Sequence, residues 1–219
     1  IDCIGNAGNS SGAFLINGVS IKILGDANDY LGKGLSGGII SLTPFKDFSF
    51  NEEDNIIAGN VLFYGATSGE GYINGICGER FGVRNSGASL VAISIGSHGL
   101  EYMTGGRVLI LDKIGKNFAS GMSGGVAYIK ATNENLANIN LSLAKIYEVN
   151  DEDYKELKEL LDSFILHTDS KYGKIVRDNL NMSEYVKLIP NDYYHIGELI
   201  NKYKDEDDPL LKAFIEGVK

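Results

Sequence analysis

The stretch SGASLVAI at residues 86–93 recurs along the chain as TGGRVLIL at 104–111 and SGGVAYI at 123–129. In each copy a small hydroxyl residue and a glycine precede a short run rich in Val, Ile and Leu. Further copies lie upstream, and the aligned glycines are Gly18, Gly37, Gly69, Gly87, Gly105 and Gly124. The steps between them are 19, 32, 18, 18 and 19 residues, so a period of 18 or 19 residues with one long step runs through residues 1–129.

This repeat predicts a stack of short strands. A strand after each glycine corner cannot bury its apolar side chains alone, but it can bury them against the strands of neighbouring copies. Glycine suits the corners because it adopts positive φ without a Cβ clash and lets adjacent coils approach closely. The sequence therefore predicts an all-β fold, a parallel β-helix (β-solenoid), over residues 1–130. The long step predicts a loop inserted at residues 43–55.

Residues 131–219 differ from the repeat, since only 3 of the 28 glycines lie there. They predict a mixed segment followed by a small α-helical appendage. Asn150 with Asp153 predicts the start of a helix. Its apolar stripe consists of Tyr154, Leu157, Leu160, Leu161, Phe164 and Ile165. Ser170 predicts a second helix that runs to Leu180. A third helix is predicted around Ile196, Leu199, Ile200 and Tyr203, and a short fourth at Asp208 and Pro209.

Composition argues against several classes of partner. The net charge of −9 and the pI near 4.8 disfavour nucleic acid and anionic membranes, which are bound through Lys and Arg. The two cysteines, Cys3 and Cys77, indicate neither a disulfide framework nor a thiolate metal site. No apolar run reaches the roughly 18 residues of a membrane span, and the start lacks a basic signal-peptide region. We therefore expect a cytoplasmic protein with no membrane partner.

Two glycine-rich stretches imitate functional motifs. GSHGLEYMTGG at 96–106 has the composition of an active-site loop, but it lies on a repeat corner, which favours an architectural role. GKGLSG at 32–37 fits the dinucleotide pattern GxGxxG. Phosphate binding by that pattern needs a helix to begin at the last glycine. Here the β-branched run IISLTP follows, so we reject a nucleotide site.

The remaining candidates for chemistry are scattered. The histidines His98, His167 and His195 have no ligand-like neighbours, and His98 without a hexapeptide pattern does not indicate a solenoid acyltransferase. The carboxylates lie at unequal phases of the repeat, which disfavours a polysaccharide-cleaving site; they are Asp26, Asp29, Asp112, Glu79 and Glu101. Arg80 and Arg84 predict a ladder of ion pairs with Glu79 and Glu101. Such a network favours a structural role over a binding site. No catalytic, cofactor-binding or metal-ligating residue is assigned.

Several longer stretches resemble one known family. They are GDANDYLGKGLSGG (25–38), IIAGNVLFYGATSGEGYINGICGERFGVRNSGA (56–88), HGLEYMTGG (98–106) and GKNFASGMSGGVAYI (115–129). They closely resemble the glycine-rich C-terminal domain (the alpha-subunit or GXGXG repeat) of the glutamate synthase large subunit. EYVKLIPNDY at 184–193 is similar to the closing segment of that domain. The resemblance implies that the parallel β-helix is right-handed.

The resemblance also implies a parent enzyme that moves ammonia from glutamine to 2-oxoglutarate with FMN and an iron–sulfur cluster. Its glutaminase nucleophile is an N-terminal cysteine, whereas this chain begins Ile1-Asp2 and has Cys3 inside. A cluster needs about three or four thiolates, and the chain has two cysteines. We therefore expect no cofactor in this chain. The expected role is a non-catalytic structural domain that braces the glutaminase and FMN-binding domains, joined in cis or as separate subunits.

Two alternatives stay open at this point. The first is a subunit of another redox assembly, such as formylmethanofuran dehydrogenase, which carries a similar glycine-rich solenoid. The second is an independent solenoid enzyme or ligand-binding module, motivated by His98 and the Arg/Glu edge. The sequence does not distinguish a fragment from a stand-alone subunit.

Overall fold

A computed structural model describes residues 1–45 and 50–191, together with Lys202, Tyr203, Asp208, Lys212 and Glu216. Within these ranges the strands are β1 Asp2–Asn6, β2 Ser20–Asp26, β3 Ser36–Thr43, β4 Ile56–Ala58, β5 Ser68–Cys77, β6 Ser86–Ile95, β7 Thr104–Ile110, β8 Gly124–Lys130, β9 Ala144–Glu148 and β10 Tyr185–Pro190. The α-helices are α1 Asn133–Asn138, α2 Asp151–Thr168 and α3 Lys171–Asp178. Short 3-10 helices lie at Glu52–Asp54 and Met182–Glu184.

Seven of the strands stack as successive coils of a parallel β-solenoid. They follow one another in the order β1-β2-β3-β5-β6-β7-β8, and each pairs with the next in parallel. The strand β4 adds a short parallel pairing at the far end of β5. Because β3 pairs directly with β5, the residues between these strands leave the stack unbroken. The predicted parallel β-helix is confirmed.

The two faces of the stacked sheet are both packed. One row of register partners fills the interior of the solenoid and consists of Ile23, Leu42, Ile73, Ala92, Ile110 and Ile129. Side chains alternate across a strand, so the adjacent row faces outward. That outward row, Tyr72, Val91, Leu109 and Tyr128, packs against apolar residues of α2. Burial on both faces explains why these strands have near-continuous apolar sequences.

Two different constraints account for the aligned corner glycines. Gly37 and Gly69 have φ values of 147° and 95°, a region that favours glycine. Gly87, Gly105 and Gly124 lie outside that region, but a Cβ on any of them would come within 3 Å of a backbone oxygen of the preceding coil. The later corners therefore require glycine for the close approach of coils.

Before each corner the backbone of a coil bends through a turn, here called the arc. In this arc every second residue has the left-handed backbone conformation, with positive φ. In one arc these are His98, Leu100 and Tyr102, with φ of 64°, 58° and 55°. The amide of His98 donates to Lys116 O in the next coil, and that of Leu100 donates to Phe81 O in the preceding coil. A left-handed residue other than glycine costs about 1–2 kcal/mol. The cross-coil hydrogen bonds offset that cost, and the same alternation recurs along the solenoid.

The tail closes the last coil with two strands that the sequence did not predict. β10 pairs antiparallel with β8, and β9 pairs antiparallel with β10. The sheet thus continues across residue 130, and the domain boundary there stays a prediction. An exposed strand edge is a template for unwanted pairing, and β10 covers the edge of β8. The prediction of a tail that is helical after its mixed segment was therefore incomplete.

The two helices predicted at Asn150 and Ser170, α2 and α3, begin where the sequence predicted. Asn150 and Asp153 form a capping box at the start of α2, and Ser170 caps α3, which ends at Asp178, short of the predicted Leu180. The predicted third and fourth helices fall outside the described residues apart from isolated positions. Among the helices that the structure describes, none is long and apolar enough to span a membrane.

The predicted insertion at 43–55 is anchored to the tail. Thr43 ends β3, and residues 46–49 lie outside the described ranges. The Glu52 carboxylate accepts hydrogen bonds from Ser170 Oγ at 2.7 Å and from the amides of Lys171 and Tyr172 at 3.2 and 2.9 Å. A carboxylate on these amides satisfies the unpaired donors of a helix N-terminus. The insertion therefore holds the start of α3.

Candidate functional site

The loop GSHGLEYMTGG places a histidine beside a glutamate. His98 Nδ1 lies 2.7 Å from Glu101 Oε1, with the two side chains 37% and 18% exposed. Asn117 of the next coil donates from Nδ2 to the same carboxylate oxygen at 3.1 Å, and Asn140 donates to Asn117 Oδ1 at 2.7 Å. A carboxylate on Nδ1 orients the imidazole as it does in general bases and in metal-binding histidines. This is the best-organised titratable pair on the solenoid surface that the structure describes.

The surroundings of this pair favour a structural role. Arg80 and Asn117 occupy the arc positions equivalent to His98 in the neighbouring coils, with φ of 61° and 58°. The left-handed backbone at His98 is therefore part of the repeat and not local strain. The side-chain bonds tie two coils to the segment after α1. Neither His98 nor Glu101 lines any of four cavities on the described surface, although one of these cavities is lined by Tyr102, next to Glu101.

The predicted Arg/Glu ladder was wrong in part. Arg80 lies 3.8 Å from Glu79, with both side chains 52% exposed, which makes an ion pair of small energetic value. Glu101 instead binds His98. The guanidinium of Arg84 lies over the ring of Tyr102, 5.9 Å from its centroid. The ladder fails because Glu101 pairs with His98 of its own coil, and Arg84 lies over Tyr102.

The other carboxylates tie coils together and do not converge. Asp29 Oδ1 accepts the amide of Asn60 at 2.7 Å, and Asp26 accepts a hydrogen bond from Asn6. Both hydrogen bonds join neighbouring coils, the first through the backbone amide of Asn60 and the second through the Asn6 side chain. Within the residues that the structure describes, no group of three or more His, Cys, Asp or Glu side chains is placed to hold a metal ion.

The two cysteines lie in separate coils, Cys3 on β1 and Cys77 at the end of β5. Cys77 is 1% exposed, and its thiol donates toward Ser94 O at 3.6 Å. Burial raises the pKa of the Cys77 thiol well above its usual range. Only a thiolate is a good nucleophile or metal ligand, so the burial of Cys77 favours a packing role in the core over chemistry.

The motif GKGLSG occupies an arc and a corner, where Gly32 and Gly34 are left-handed with φ of 66° and 65°. Its last residues open β3 and not a helix. The positive end of a helix dipole is therefore missing from this stretch, and the rejection of a nucleotide site stays a prediction.

One polar cluster was missed from the sequence. Tyr72 donates to Glu70 Oε2 at 2.7 Å, and the ring of His167 from α2 stacks on Tyr72 with centroids 5.0 Å apart. His167 Nε2 lies 3.9 Å from the same Glu70 oxygen. Burial, and then the hydrogen bond to Glu70, raise the pKa of Tyr72 above its usual range. Glu70 borders a groove of about 670 Å³ that runs over the Ser and Gly corners of the first four coils.

The contacts of this cluster favour a role in attaching α2 to the sheet over a catalytic role. His167 and Glu70 are 27% and 43% exposed, and the stacked ring lies on a tyrosine that α2 covers. Glu70, Ser89 and Arg107 are register partners on β5, β6 and β7. Arg107 donates to Ser89 Oγ at 3.2 Å and pairs with Glu159 at 3.3 Å. The contacts of His167 with Tyr72 and Glu70 and that of Glu159 with Arg107 join the solenoid to α2.

Comparison with known proteins agrees with this architecture. A family model described as the GXGXG motif matches residues 1–191. The chain belongs to the GXGXG motif family. The match includes the solenoid as well as β9, α2, α3 and β10.

Similar regions occur in long glutamate synthase chains. The chain is 42% identical to the glutamate synthase [NADPH] large chain of Bacillus subtilis, over 98% of this chain and 15% of that protein. It is 43% identical to the glutamate synthase [NADH] of Schizosaccharomyces pombe, over 99% of this chain and 11% of that protein. For the chloroplastic ferredoxin-dependent glutamate synthase of Spinacia oleracea the values are 43%, 97% and 13%. This GXGXG chain thus spans a small fraction of the relatives that it matches.

Proposed function

We propose that this chain is a non-catalytic structural domain of a glutamate synthase, in which it braces the glutaminase and FMN-binding domains. The observation that carries the proposal is the match of nearly the whole chain to a short region of three glutamate synthases. A region of this size in a long polypeptide is a domain among others. Its partners are then the remaining domains of the same enzyme, in cis or as separate subunits.

The names of the relatives support an architectural role. They specify NADPH, NADH and ferredoxin as three different electron donors, yet the identities to this chain are 42%, 43% and 43%. A region that bound the donor would be expected to diverge with it. The equal similarity fits a scaffold that serves the same purpose in each enzyme.

The residues of the chain also fit a role without chemistry. Glutamine hydrolysis needs an activated nucleophile, whereas Cys77 is buried with a raised thiol pKa. FMN needs a phosphate site, and GKGLSG leads into a strand. Under this proposal the FMN and the iron–sulfur cluster are held by the rest of the parent enzyme. A cytoplasmic location stays a prediction.

The two alternative functions have less support. The relatives named above are glutamate synthases, which favours this enzyme over another redox assembly. An independent solenoid enzyme would have to use the pair of His98 and Glu101, since that pair has the orientation of a general base. The pair lies in the repeat arc, and neither of its residues lines any of the four cavities described above, so we do not favour this role.

The experiment that tests the proposal is a measurement on the purified chain. We expect a colourless protein without flavin or cluster absorbance, and no ammonia release from glutamine above a Cys77→Ser control. Stoichiometric FMN, or ammonia release that depends on Cys77, would make the chain a catalyst and refute the proposal.

A further inference from the structure

A depression on the arc side of the solenoid carries a cation without an ionic partner. Its volume is about 410 Å³, and it is lined by Arg84, Tyr102, Thr104, Gly121 and Ser123. Of the four arginines in the chain, three lie 3.9 Å or less from a carboxylate oxygen, namely Arg80, Arg107 and Arg177. Arg84 makes no ion pair with the residues that the structure describes. Its charge is therefore available to a ligand.

Stacking on Tyr102 holds Arg84 at this depression. Arg84, Tyr102 and Gly121 are the third left-handed residues of successive arcs, with φ of 58°, 55° and 71°. A Cβ on Gly121 would lie 2.6 Å from Cδ1 of Tyr102, so the tyrosine ring occupies the space above that glycine. The guanidinium of Arg84 lies over the same ring, 5.9 Å from its centroid. A side chain held in this way loses less conformational entropy when it binds a ligand.

Two hydroxyl groups beside Arg84 can donate to the same ligand. At an earlier corner the hydroxyl of Ser86 donates to Ala66 O in the preceding coil at 3.3 Å. The hydroxyls of Thr104 and Ser123 make no hydrogen bond within the described part of the chain. Both residues line the depression together with Arg84. The depression therefore combines a guanidinium with two hydroxyl donors.

The charges around the depression indicate the chemistry of its ligand. None of the five lining residues is acidic, and the neighbouring Glu101 lies 2.7 Å from His98 Nδ1 and accepts from Asn117 Nδ2 at 3.1 Å. The depression is thus positive on a chain of net charge −9. A guanidinium matches a carboxylate because its planar fork donates two parallel hydrogen bonds. One cation balances the single charge of a carboxylate better than the larger charge of a phosphate.

The exposure of the depression indicates which kind of molecule presents that carboxylate. Arg84, Tyr102, Thr104 and Ser123 are all exposed. Small-molecule ligands are usually buried over most of their surface, and a depression with exposed walls does not provide this burial. Arginine and tyrosine are enriched at protein–protein interfaces, where they carry much of the binding energy. The surface therefore favours the side chain of an aspartate or a glutamate.

We propose that Arg84 anchors an interface, in which it binds the carboxylate of an Asp or Glu side chain from another domain of the parent enzyme. The hydroxyls of Thr104 and Ser123 are further donors to that carboxylate. The identity of the occupant rests on the proposed function and on the relatives, in which the matched region is 15% or less of the polypeptide. The brace then acts through the arc side of the solenoid, since α2 packs on the outward row of the sheet.

The first test is the modification of arginines by phenylglyoxal in the parent enzyme, followed by peptide mass spectrometry. Arg80 is the internal reference, because its side chain is 52% exposed and pairs with the equally exposed Glu79. Arg84 should react about tenfold more slowly than Arg80. The protection should persist after desalting into a buffer without small carboxylates. Equal rates would overturn the interface, and protection that is lost on desalting would assign the site to a free carboxylate instead.

The second test identifies the carboxylate by crosslinking. In the parent enzyme carrying Arg84→Lys, a water-soluble carbodiimide should join the new amine to an Asp or Glu side chain outside residues 1–219. The matched control is Arg80→Lys on the same arc, which should give no such crosslink. The interface is refuted if Arg84→Lys gives no crosslink, or one to Glu101 alone, or if the control reaches the same partner in equal yield. Failure of the proposed function is a separate result, which would show as flavin absorbance or ammonia release from the chain itself.

Discussion

The two ends of the solenoid are built differently. At the last coil, residues 113–130, the edge of β8 is covered by β10, and Leu188 of β10 is fully buried opposite Ala127. At the first coil the apolar side chain of Ile4 is 79% exposed. A repeat protein needs a special structure at its termini because each coil is stabilised by its neighbours. The difference teaches that the tail of this chain caps the solenoid at its last coil.

The sharpest contrast between the ends comes from removing one apolar side chain at each. Leu188→Ala should lower the free energy of unfolding by about 2–5 kcal/mol because it leaves a cavity under the cap. Ile4→Ala should change it by less than about 0.5 kcal/mol because the side chain is exposed. Chemical denaturation of both variants measures this, and equal losses would remove the distinction between the ends.

A second contrast concerns the ion pair that holds the cap. Lys187 of β10 lies 2.5 Å from Asp153 of α2, whose side chain is 9% exposed. Asp153→Ala should cost about 3 kcal/mol, because it leaves a partly buried ammonium unpaired and also removes the capping box. The matched control is Lys174→Ala, since Lys174 pairs with Asp169 in an exposed position. Similar melting temperatures for the two variants would show that the cap does not depend on this pair.

Equivalent corners at the two ends should tolerate the same substitution differently. A Cβ at Gly124 would lie within 3 Å of Thr104 O, whereas Gly18 has no atom within 4 Å of that position. Gly124→Asn should cost about 2 kcal/mol or more because adjacent coils must separate. Gly18→Asn should cost less than about 1 kcal/mol, since asparagine accepts its φ of 84° at modest strain. If Gly18→Asn proved the more costly, close packing would not explain the glycines of the last coil.

The smallest expected effect tests the contact between the insertion at residues 43–55 and the start of α3. Glu52→Ala should cost about 1 kcal/mol, because three hydrogen-bond donors at the start of α3 lose their acceptor. Glu52→Gln should retain part of this stability, and Glu53→Gln serves as the neighbouring control. Thermal unfolding gives the comparison. A wild-type midpoint for Glu52→Ala would mean that the insertion can be replaced without loss, as its loop-like sequence suggests.

Sequence reasoning predicted the features that repeat or are local. The period of the corner glycines gave the stacked coils, and Asn150 with Asp153 gave the start of α2, since a capping box lies within four residues. The polar clusters were not predictable in this way. Ser170 and Glu52 are 118 residues apart, and neither Tyr72 nor His167 has a local pattern that specifies stacking. β10 was missed because its short apolar run becomes a strand only when the edge of β8 is present.

The account predicts that this domain supports catalysis in glutamate synthase without taking part in it. The most direct measurement is the ratio of ammonia released from glutamine to glutamate formed by the parent enzyme carrying Asp153→Ala, at a temperature where the variant remains folded. A weakened brace should raise that ratio while FMN content and the rate of glutamine hydrolysis stay close to wild type. Loss of FMN or of glutamine hydrolysis, with the ratio unchanged, would contradict the account of a domain that braces the catalytic domains without affecting their own chemistry.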